Sequence, residues 1–145
     1  MLTKIYIASD HAGFDLKEQI LKLSKVNMID LGTNSTKSVD YPDFAFLLIN
    51  KMKNVKKSLG ILICGSGIGM AITANRNVNI RAGVAFNSQI AELMRKHNDA
   101  NILVLPGRFI NIQEALNCIN NFLTTEFEGG RHQKRIEKIE KKKYE

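Results

Sequence analysis

Short apolar runs rich in β-branched residues alternate along the chain with segments whose apolar residues recur at helical spacing. The apolar runs, which we predict to be strands, cover residues 4–9, 26–31, 59–64, 81–86 and 102–105. Residues 44–55 and 112–123 carry apolar side chains at the spacing of amphipathic helices. This alternation predicts right-handed crossovers and an α/β fold, with a five-stranded parallel sheet between two layers of helices.

Two helix starts are marked by residues that commonly cap helices. Asn111 is followed three residues later by Glu114, which predicts an N-cap with a capping-box partner. Ser88 is the predicted cap of the helix that precedes His97. Both caps agree with the alternation of strands and helices.

The carboxy-terminal segment differs from the rest of the chain in its high charge. The Gly129-Gly130 pair predicts a turn, and residues 131–144 are expected to form a charged helix after it. Only Ile136 and Ile139 are available in this helix for packing. We therefore expect a helical tail that either frays or docks on a neighbouring element.

Length and charge limit the possible functions. A chain of 145 residues has the size of one domain, so we predict a single domain over residues 1–145. The formal net charge is +7, but residues 131–145 hold seven Lys and Arg against three Asp and Glu, so much of the excess is local. No aromatic-interleaved basic strand or recognition-helix pattern accompanies it. We expect an anionic metabolite as partner, with a basic tail on nucleic acid as the alternative.

Membrane insertion, disulfides and metal chemistry are not indicated. No apolar run is long enough to span a bilayer, and no basic-then-apolar stretch opens the chain, so we expect a cytoplasmic protein without a membrane partner. Cys64 and Cys118 are too few for a disulfide framework or a cysteine-rich zinc site, which predicts free thiols. No His, Cys or carboxylate cluster has metal-ligand spacing, and we expect neither a metal nor another cofactor.

Polar and glycine-rich residues follow the first, third and fifth predicted strands. In an open parallel sheet ligands bind beyond the carboxyl ends of the strands. Residues 9–13, 64–69 and 106–108 occupy three such ends. The glycine-rich turn over residues 65–69 allows backbone N–H groups to approach a small anion at a helix amino terminus. The alternative is a plain tight turn between strand and helix.

Three residues that could act on a ligand could instead have only a structural role. A thiol at the mouth of such a turn gains thiolate character, whereas Cys64 could also be a small buried apolar residue that ends a strand. Asp10 could act on a ligand or only cap a helix, with His11 on the surface. His97 begins a polar break before the last strand, where a carboxy-terminal cap is the simpler explanation. Cys118 lies among apolar residues and is expected to be structural.

The tail contains a pair of arginines with a spacing that suits phosphate binding. Arg131 and Arg135 are four residues apart, so on a helix both guanidinium groups can reach one phosphate. A solvated charged face is the alternative, and we expect it for Lys138 and residues 141–143.

Taken together, the motifs resemble those of the type B ribose-5-phosphate isomerases. The matching segments are SDHAG (9–13), DYP (40–42), ICGSGIG (63–69), NR (75–76), IRA (80–82), HNDAN (97–101) and EGGRHQKR (128–135). Their order and spacing cover nearly the whole chain. The resemblance implies a Rossmann-like three-layer sandwich, a homodimer that sometimes pairs into a tetramer, and metal-free aldose-ketose isomerisation of a sugar phosphate.

The resemblance also implies roles for individual residues. Cys64 falls where one branch of the family has its cysteine base, while Met70 stands where another branch uses a glutamate. The implied catalytic residues are Cys64, Ser66, Asp10 and His97. The implied substrate-binding residues are His11, Tyr41, Gly65, Gly67, Ile68, Gly69, Asn98, Arg108, Arg131 and Arg135.

Two departures and two alternatives accompany this assignment. Ser66 replaces the threonine of many relatives and keeps its hydroxyl, while the Pro106-Gly107 pair before Arg108 is unusual. Ribose 5-phosphate is the expected substrate. The resemblance leaves allose 6-phosphate and galactose 6-phosphate as alternatives, since they are substrates of other isomerases of the same family, and a non-enzymatic phosphate-binding module is an alternative of another class.

Topology predicts that one subunit does not complete the site. The helix that begins near Ser88 returns the chain to the amino edge of the sheet, whereas Cys64 lies at the carboxyl edge. A five-residue strand spans about 16 Å, so His97 is not expected to reach Cys64 of its own chain. We therefore predict that the partner subunit supplies His97 and Asn98, and that Arg131 and Arg135 cross as well.

Overall fold

Parallel strands alternate with helices throughout residues 2–141, the part of the chain that the computed structural model describes. In chain order the elements are β1 (Lys4–Ser9), α1 (Phe14–Leu23), β2 (Ile29–Asp30), α2 (Tyr41–Lys53), β3 (Ser58–Cys64), α3 (Ile68–Asn75), β4 (Ala82–Val84), α4 (Ser88–Asn98), β5 (Ile102–Pro106), α5 (Ile112–Thr124) and α6 (Arg131–Glu140). The strands form a five-stranded sheet in the order β2-β1-β3-β5-β4, in which every pair is parallel.

The sheet is covered on both faces, as the predicted three-layer sandwich requires. One apolar cluster joins Ile7, Ile63 and Leu105 to buried residues of α1, α4 and α5. The other joins Ala8, Leu62 and residues of α2 and α3. Because alternate side chains of each strand are buried on opposite faces, the central strands are apolar at nearly every position. The predicted α/β, Rossmann-like fold is confirmed.

The register of the three central strands brings their carboxyl ends together. Ser9 of β1 pairs with Ile63 of β3, and Cys64 of β3 pairs with Pro106 of β5. The chain reverses the direction of its crossovers between β1 and β3, and such a reversal leaves a crevice beyond the strand ends. A binding site is therefore expected beside Ser9 and Cys64.

The edge strands are shorter than predicted. The run over residues 26–31 forms a strand only at Ile29–Asp30, and the run over residues 81–86 only at Ala82–Val84. Each of these strands lies at an edge of the sheet and pairs with one neighbour. The outermost residues of the two runs, Val26 and Phe86, are exposed, so their apolar character does not indicate a place in the sheet.

One predicted cap is confirmed and the other is wrong. The Asn111 side chain accepts a hydrogen bond from the Glu114 N–H at 2.8 Å, as a cap of α5. At the start of α4 the cap is Asn87, whose side chain accepts from the Ile90 N–H at 3.0 Å. Ser88 is already helical there, because Asn87 takes the extended conformation that a cap requires.

The tail forms a helix that docks through few residues. Gly129 and Gly130 have positive φ angles, and α6 begins directly after them, as predicted. Ile136 is buried, whereas Ile139 is 64% exposed, so only one of the two predicted packing residues is used. The helix ends at Glu140, and positions 142–144 of the predicted helix lie outside the described residues.

None of the helices in residues 2–141 combines the length and the apolar character that crossing a bilayer requires.

An ion pair between a buried lysine and a partly exposed aspartate supports the loop after β2, which holds the end of β1. The Lys17 ammonium is fully buried and lies 2.8 Å and 2.9 Å from the two carboxylate oxygens of Asp30. Asp30 also accepts from the Gly32 N–H, and the Gly32 carbonyl accepts from the Ser9 N–H at 2.7 Å. Lys17 therefore connects α1 to the loop that holds the carboxyl end of β1.

We expect Asp30→Asn to destabilise the protein more than Lys17→Met. The first change leaves a buried ammonium with only the half-exposed Glu18 nearby, which costs about 3 kcal/mol or more. The second leaves Asp30, whose side chain is 39% exposed and can be hydrated, and we expect a loss of about 1 kcal/mol. Urea unfolding at one protein concentration measures both. The double variant should be more stable than Asp30→Asn alone, and equal losses in the two single variants would contradict this account.

Candidate active site

A pocket of about 580 Å³ opens at the carboxyl ends of β1, β3 and β5. Its walls come from the turns after these strands and from the starts of α2 and α3. The lining residues are Asp10, His11, Ala12, Tyr41, Cys64, Gly65, Ser66, Ile68, Gly69, Ile72, Arg108 and Phe109. A cavity of about 610 Å³ beside Met52 and Asn101 is slightly larger, but its walls hold no cysteine, histidine or carboxylate. The chemistry of the first pocket makes it the candidate active site.

The turn between β3 and α3 presents backbone N–H groups to this pocket. Gly67 has a φ of +79°, a left-handed conformation that favours glycine. No side chain caps α3 at this residue, and the Ser66 hydroxyl accepts from the Ile68 N–H at 3.3 Å. The first N–H groups of a helix lack intrahelical partners, so this turn can hold an anion.

Two glycines of the turn allow side chains to lie against its backbone. A Cβ at Gly69 would lie 2.5 Å from the Tyr41 ring, and a Cβ at Gly65 would lie 3.3 Å from Nη1 of Arg108. The glycines thus bring an aromatic ring and a guanidinium group to the turn. Although Pro106-Gly107 is unusual, Arg108 lies in the pocket where the resemblance placed it.

The two cysteines have different surroundings. Cys64 is the last residue of β3, lines the pocket and is 4% exposed. Cys118 is fully buried on α5, away from the pocket. Burial, with a smaller contribution from Glu114, raises the pKa of the Cys118 thiol to about 12. Only Cys64 is placed to act on a ligand.

Asp10 and His11 are held by backbone contacts at the end of β1. Asp10 Oδ1 accepts from the N–H groups of Ala12 and Gly13 at 3.0 Å and 3.1 Å, in the turn before α1. The helix-cap alternative is wrong, because the N-cap of α1 is Gly13 and no side chain caps that helix. Asp10 also lines the pocket, so it can stabilise the turn and contact a ligand. His11 Nδ1 lies 3.1 Å from the Val39 nitrogen, a contact that fixes the imidazole ring.

The remaining predicted residues lie elsewhere in the chain. His97 and Asn98 form the last turn of α4, and Arg131 and Arg135 belong to the first turns of α6. None of the four lines the pocket. The carbonyl of Asn101, just after α4 and at the amino end of β5, accepts from the Gly60 N–H, whereas Pro106 at the carboxyl end of β5 pairs with Cys64. The length of one strand, about 16 Å, therefore separates the end of α4 from Cys64.

A cluster of possible ligands lies around His97, and sequence reasoning missed it. His97, Glu128 and His132, which we call the histidine cluster, have ligand atoms within 4.8 Å of one another. The imidazole rings stack with centroids 4.5 Å apart. Burial, then the neighbouring His97 and Arg131, lower the pKa of His132. The cluster was not visible in the sequence because α5 separates His97 from the other two residues.

Comparison with known proteins gives a consistent result over almost the whole chain. The family model described as Ribose/Galactose Isomerase matches residues 5–139. A protein of Mycoplasma genitalium named a probable ribose-5-phosphate isomerase B is 46% identical over 144 residues, which cover 96% of this chain and 95% of that protein.

Solved structures agree with the sequence comparison. The crystal structure of a ribose 5-phosphate isomerase from Thermotoga maritima has a TM-score of 0.91 and 47% identity, and covers 97% of this chain and 99% of that chain. The ribose-5-phosphate isomerase B of Mycoplasma genitalium with bound ribulose-5-phosphate has a TM-score of 0.89 and 46% identity, with 97% and 95% covered.

We expect iodoacetamide to alkylate Cys64 but not Cys118 in the native protein. Cys64 lines an open pocket, whereas the Cys118 thiol is buried and stays protonated well above neutral pH, since its pKa is raised to about 12. Mass spectrometry after brief labelling at neutral pH distinguishes the two sites. Cys118→Ser should label like the wild type, and Cys64→Ser should label only in denaturant. Native labelling at Cys118 would show that α5 opens more readily than the structure indicates.

Proposed function

Because the chain belongs to the ribose/galactose isomerase family, and is thus an isomerase, we propose that it interconverts D-ribose 5-phosphate and D-ribulose 5-phosphate through an enediol. The observation that carries the proposal is the position of Cys64, in one pocket with the glycine-rich turn, Asp10 and Arg108. The relative from Mycoplasma genitalium, with ribulose-5-phosphate bound, supports a pentose phosphate as the substrate class.

Cys64 is the proposed proton shuttle. As a thiolate it removes the proton from C2 of the open-chain aldose, and the electrons of the C2–H bond form the C1–C2 double bond. Negative charge then develops on O1. The thiol returns the proton to C1, and transfer of the proton of the C2 hydroxyl to O1 gives the ketose with its C1 hydroxyl.

The glycine-rich turn is the proposed stabiliser of the enediolate. We propose that N–H groups at the start of α3 that lack intrahelical partners, together with the Ser66 hydroxyl, donate to the enediolate, since Gly65, Ser66 and Gly69 all line the pocket. Each well-placed donor to a developing oxyanion lowers a barrier by about 3 kcal/mol. The charge is therefore stabilised without a metal, and we expect no cofactor.

Other residues are proposed to open the sugar ring and hold the substrate. Asp10 and His97 exchange protons with the ring oxygen and the anomeric hydroxyl, a role for which histidine is suited near neutral pH. Asn98 and Tyr41 position sugar hydroxyls. Arginine and histidine side chains bind the phosphate, whose binding energy orients the reacting carbons. The proposed phosphate ligands are His11, Arg108, Arg131 and Arg135.

These assignments require two subunits at each site. Within one chain His97 and Cys64 lie near opposite edges of the sheet, so a second copy is proposed to supply His97, Asn98, Arg131 and Arg135. Apolar side chains at the pocket rim offer a contact surface, since Ile68, Ile72 and Phe109 are 59%, 60% and 69% exposed. A homodimer is the minimum assembly, and its pairing into tetramers and a cytoplasmic location stay predictions.

We expect isomerisation of ribose 5-phosphate in a coupled assay, and its loss in Cys64→Ser. Serine keeps the shape of cysteine but is a much weaker base, so turnover should fall by about a thousandfold or more. Affinity for the sugar phosphate should change only a few fold. Cys118→Ser is the matched control, and it should keep its activity because Cys118 lies outside the pocket.

The same assay separates the alternatives. Allose 6-phosphate and galactose 6-phosphate should be poorer substrates than ribose 5-phosphate, and faster turnover of either would reassign the substrate. Turnover of none of the three would favour a phosphate-binding module. Wild-type turnover in Cys64→Ser would remove the proposed shuttle.

Mixing two inactive variants tests the shared site. Cys64→Ser and His97→Ala subunits, dissociated and reassociated together, should regain activity because each mixed dimer contains one site without either lesion. Random pairing of equal amounts predicts about a quarter of the wild-type activity. Cys64→Ser mixed with a Cys64→Ser/His97→Ala double variant should stay inactive. Mixed dimers that form, as shown by two affinity tags, but remain inactive would place His97 in its own subunit's site.

A further inference from the structure

The histidine cluster is assembled from three separate parts of the chain. His97 belongs to the last turn of α4, Glu128 to the segment before the Gly129-Gly130 turn, and His132 to the first turn of α6. The Glu128 N–H donates to the carbonyl of Lys96 at 3.1 Å, which fixes this segment against the end of α4. The cluster is thus held in place by backbone contacts as well as by side chains.

Its atoms suit a divalent transition-metal ion. Two imidazoles and one carboxylate are a common set of three protein ligands for zinc, with a fourth position left for water or another ligand. Ligand atoms in a tetrahedral zinc site lie about 3.4 Å apart, given metal–ligand bonds near 2.1 Å. In the histidine cluster all lie within 4.8 Å, and Glu128 Oε2 is 3.9 Å from His132 Nε2.

The remaining adjustment falls mainly on Glu128 and His97, which are more exposed than the buried His132. The Glu128 side chain is 50% exposed, and it precedes two glycines that have open space around them. The imidazole rings of His97 and His132 stack within 18° of parallel, so they must turn out of the stack for their nitrogens to converge on one ion. The partly exposed His97 can make this rotation without unpacking the core.

Charged residues around the cluster favour a weak, reversible site. Arg131 and Arg135 contribute positive charge from α6, while Glu128 contributes the negative charge nearest to the imidazoles. Lys96 of α4 is paired with Glu92. Two arginines close to a dication reduce its affinity, so we expect a site that fills with added metal rather than one that retains it.

We propose that His97, Glu128 and His132 form an inhibitory site for a divalent transition-metal ion, with zinc as the chemical model. The inhibitory part rests on the proposed function, because His97 can act on a sugar only while its nitrogen is not bound to a metal. The binding of a metal ion by these three residues does not depend on that function. Metal binding would draw His97 towards Glu128 and leave the pocket around Cys64 unchanged.

Direct binding tests the site independently of activity. Zn²⁺ is titrated calorimetrically into EDTA-treated protein that carries Cys64→Ser and Cys118→Ser, so that thiols do not contribute. We expect one Zn²⁺ per chain, and affinity reduced more than about tenfold by either Glu128→Gln or His132→Asn. Glu126→Gln changes a neighbouring exposed carboxylate and is the matched control, which should bind like the parent. No binding, or equal affinity in all of these variants, would refute the site.

Inhibition is then measured with the wild-type thiols in place. Zn²⁺ should lower isomerase activity, EDTA should restore it, and Glu128→Gln should shift the inhibition curve to more than about tenfold higher Zn²⁺, while Glu126→Gln should not. Inhibition unchanged in Glu128→Gln would assign the effect to Cys64 and overturn the inhibitory role. Zn²⁺ that binds at the cluster without inhibiting would leave the metal site intact and count against the proposed catalytic role of His97.

Discussion

The alignment of three parallel strands is the constraint on which the rest of the structure depends. β1, β3 and β5 pair so that Ser9, Cys64 and Pro106 end at the same edge of the sheet. Each strand end therefore delivers different chemistry to one place: a carboxylate and a histidine, a thiol with a glycine turn, and a guanidinium. A shift of one residue in either pairing would move every side chain of the strand to the opposite face.

Polar contacts outside the pocket fix the backbone at this edge of the sheet. The buried Lys17 pairs with the partly exposed Asp30, and through Gly32 they hold the backbone of Ser9, next to Asp10. Buried ion pairs contribute little net stability, but losing one partner is costly. The pair is better understood as a determinant of geometry than as a source of stability. Asp10 itself combines capping of the turn with access to the pocket.

The return helices impose the opposite arrangement on the residues that follow them. α4 carries His97 to the amino edge, where α6 packs against it through stacked imidazoles. One chain thus has a pocket that contains Cys64 at one edge of the sheet, and His97 beside the basic helix α6 at the other. The proposed dimer brings the two surfaces of different copies together, and the proposed metal site uses the same histidine. Both ideas depend on the same fact, which is that His97 does not face its own Cys64.

Much of this could be predicted from local sequence, because burial and hydrogen bonding leave short-range patterns. Apolar runs located β1, β3 and β5 closely, Asn111 identified a cap, and the glycines around Ser66 identified the turn. The edge strands were overestimated, since exposed apolar residues such as Val26 and Phe86 extend the apolar runs beyond the sheet. Asn87 rather than Ser88 caps α4 because backbone angles decide between adjacent candidates. Tertiary structure alone decided the rest. The Lys17–Asp30 pair and the contact of His97 with His132 join residues far apart in the chain, and only the packing of helices determines such distances.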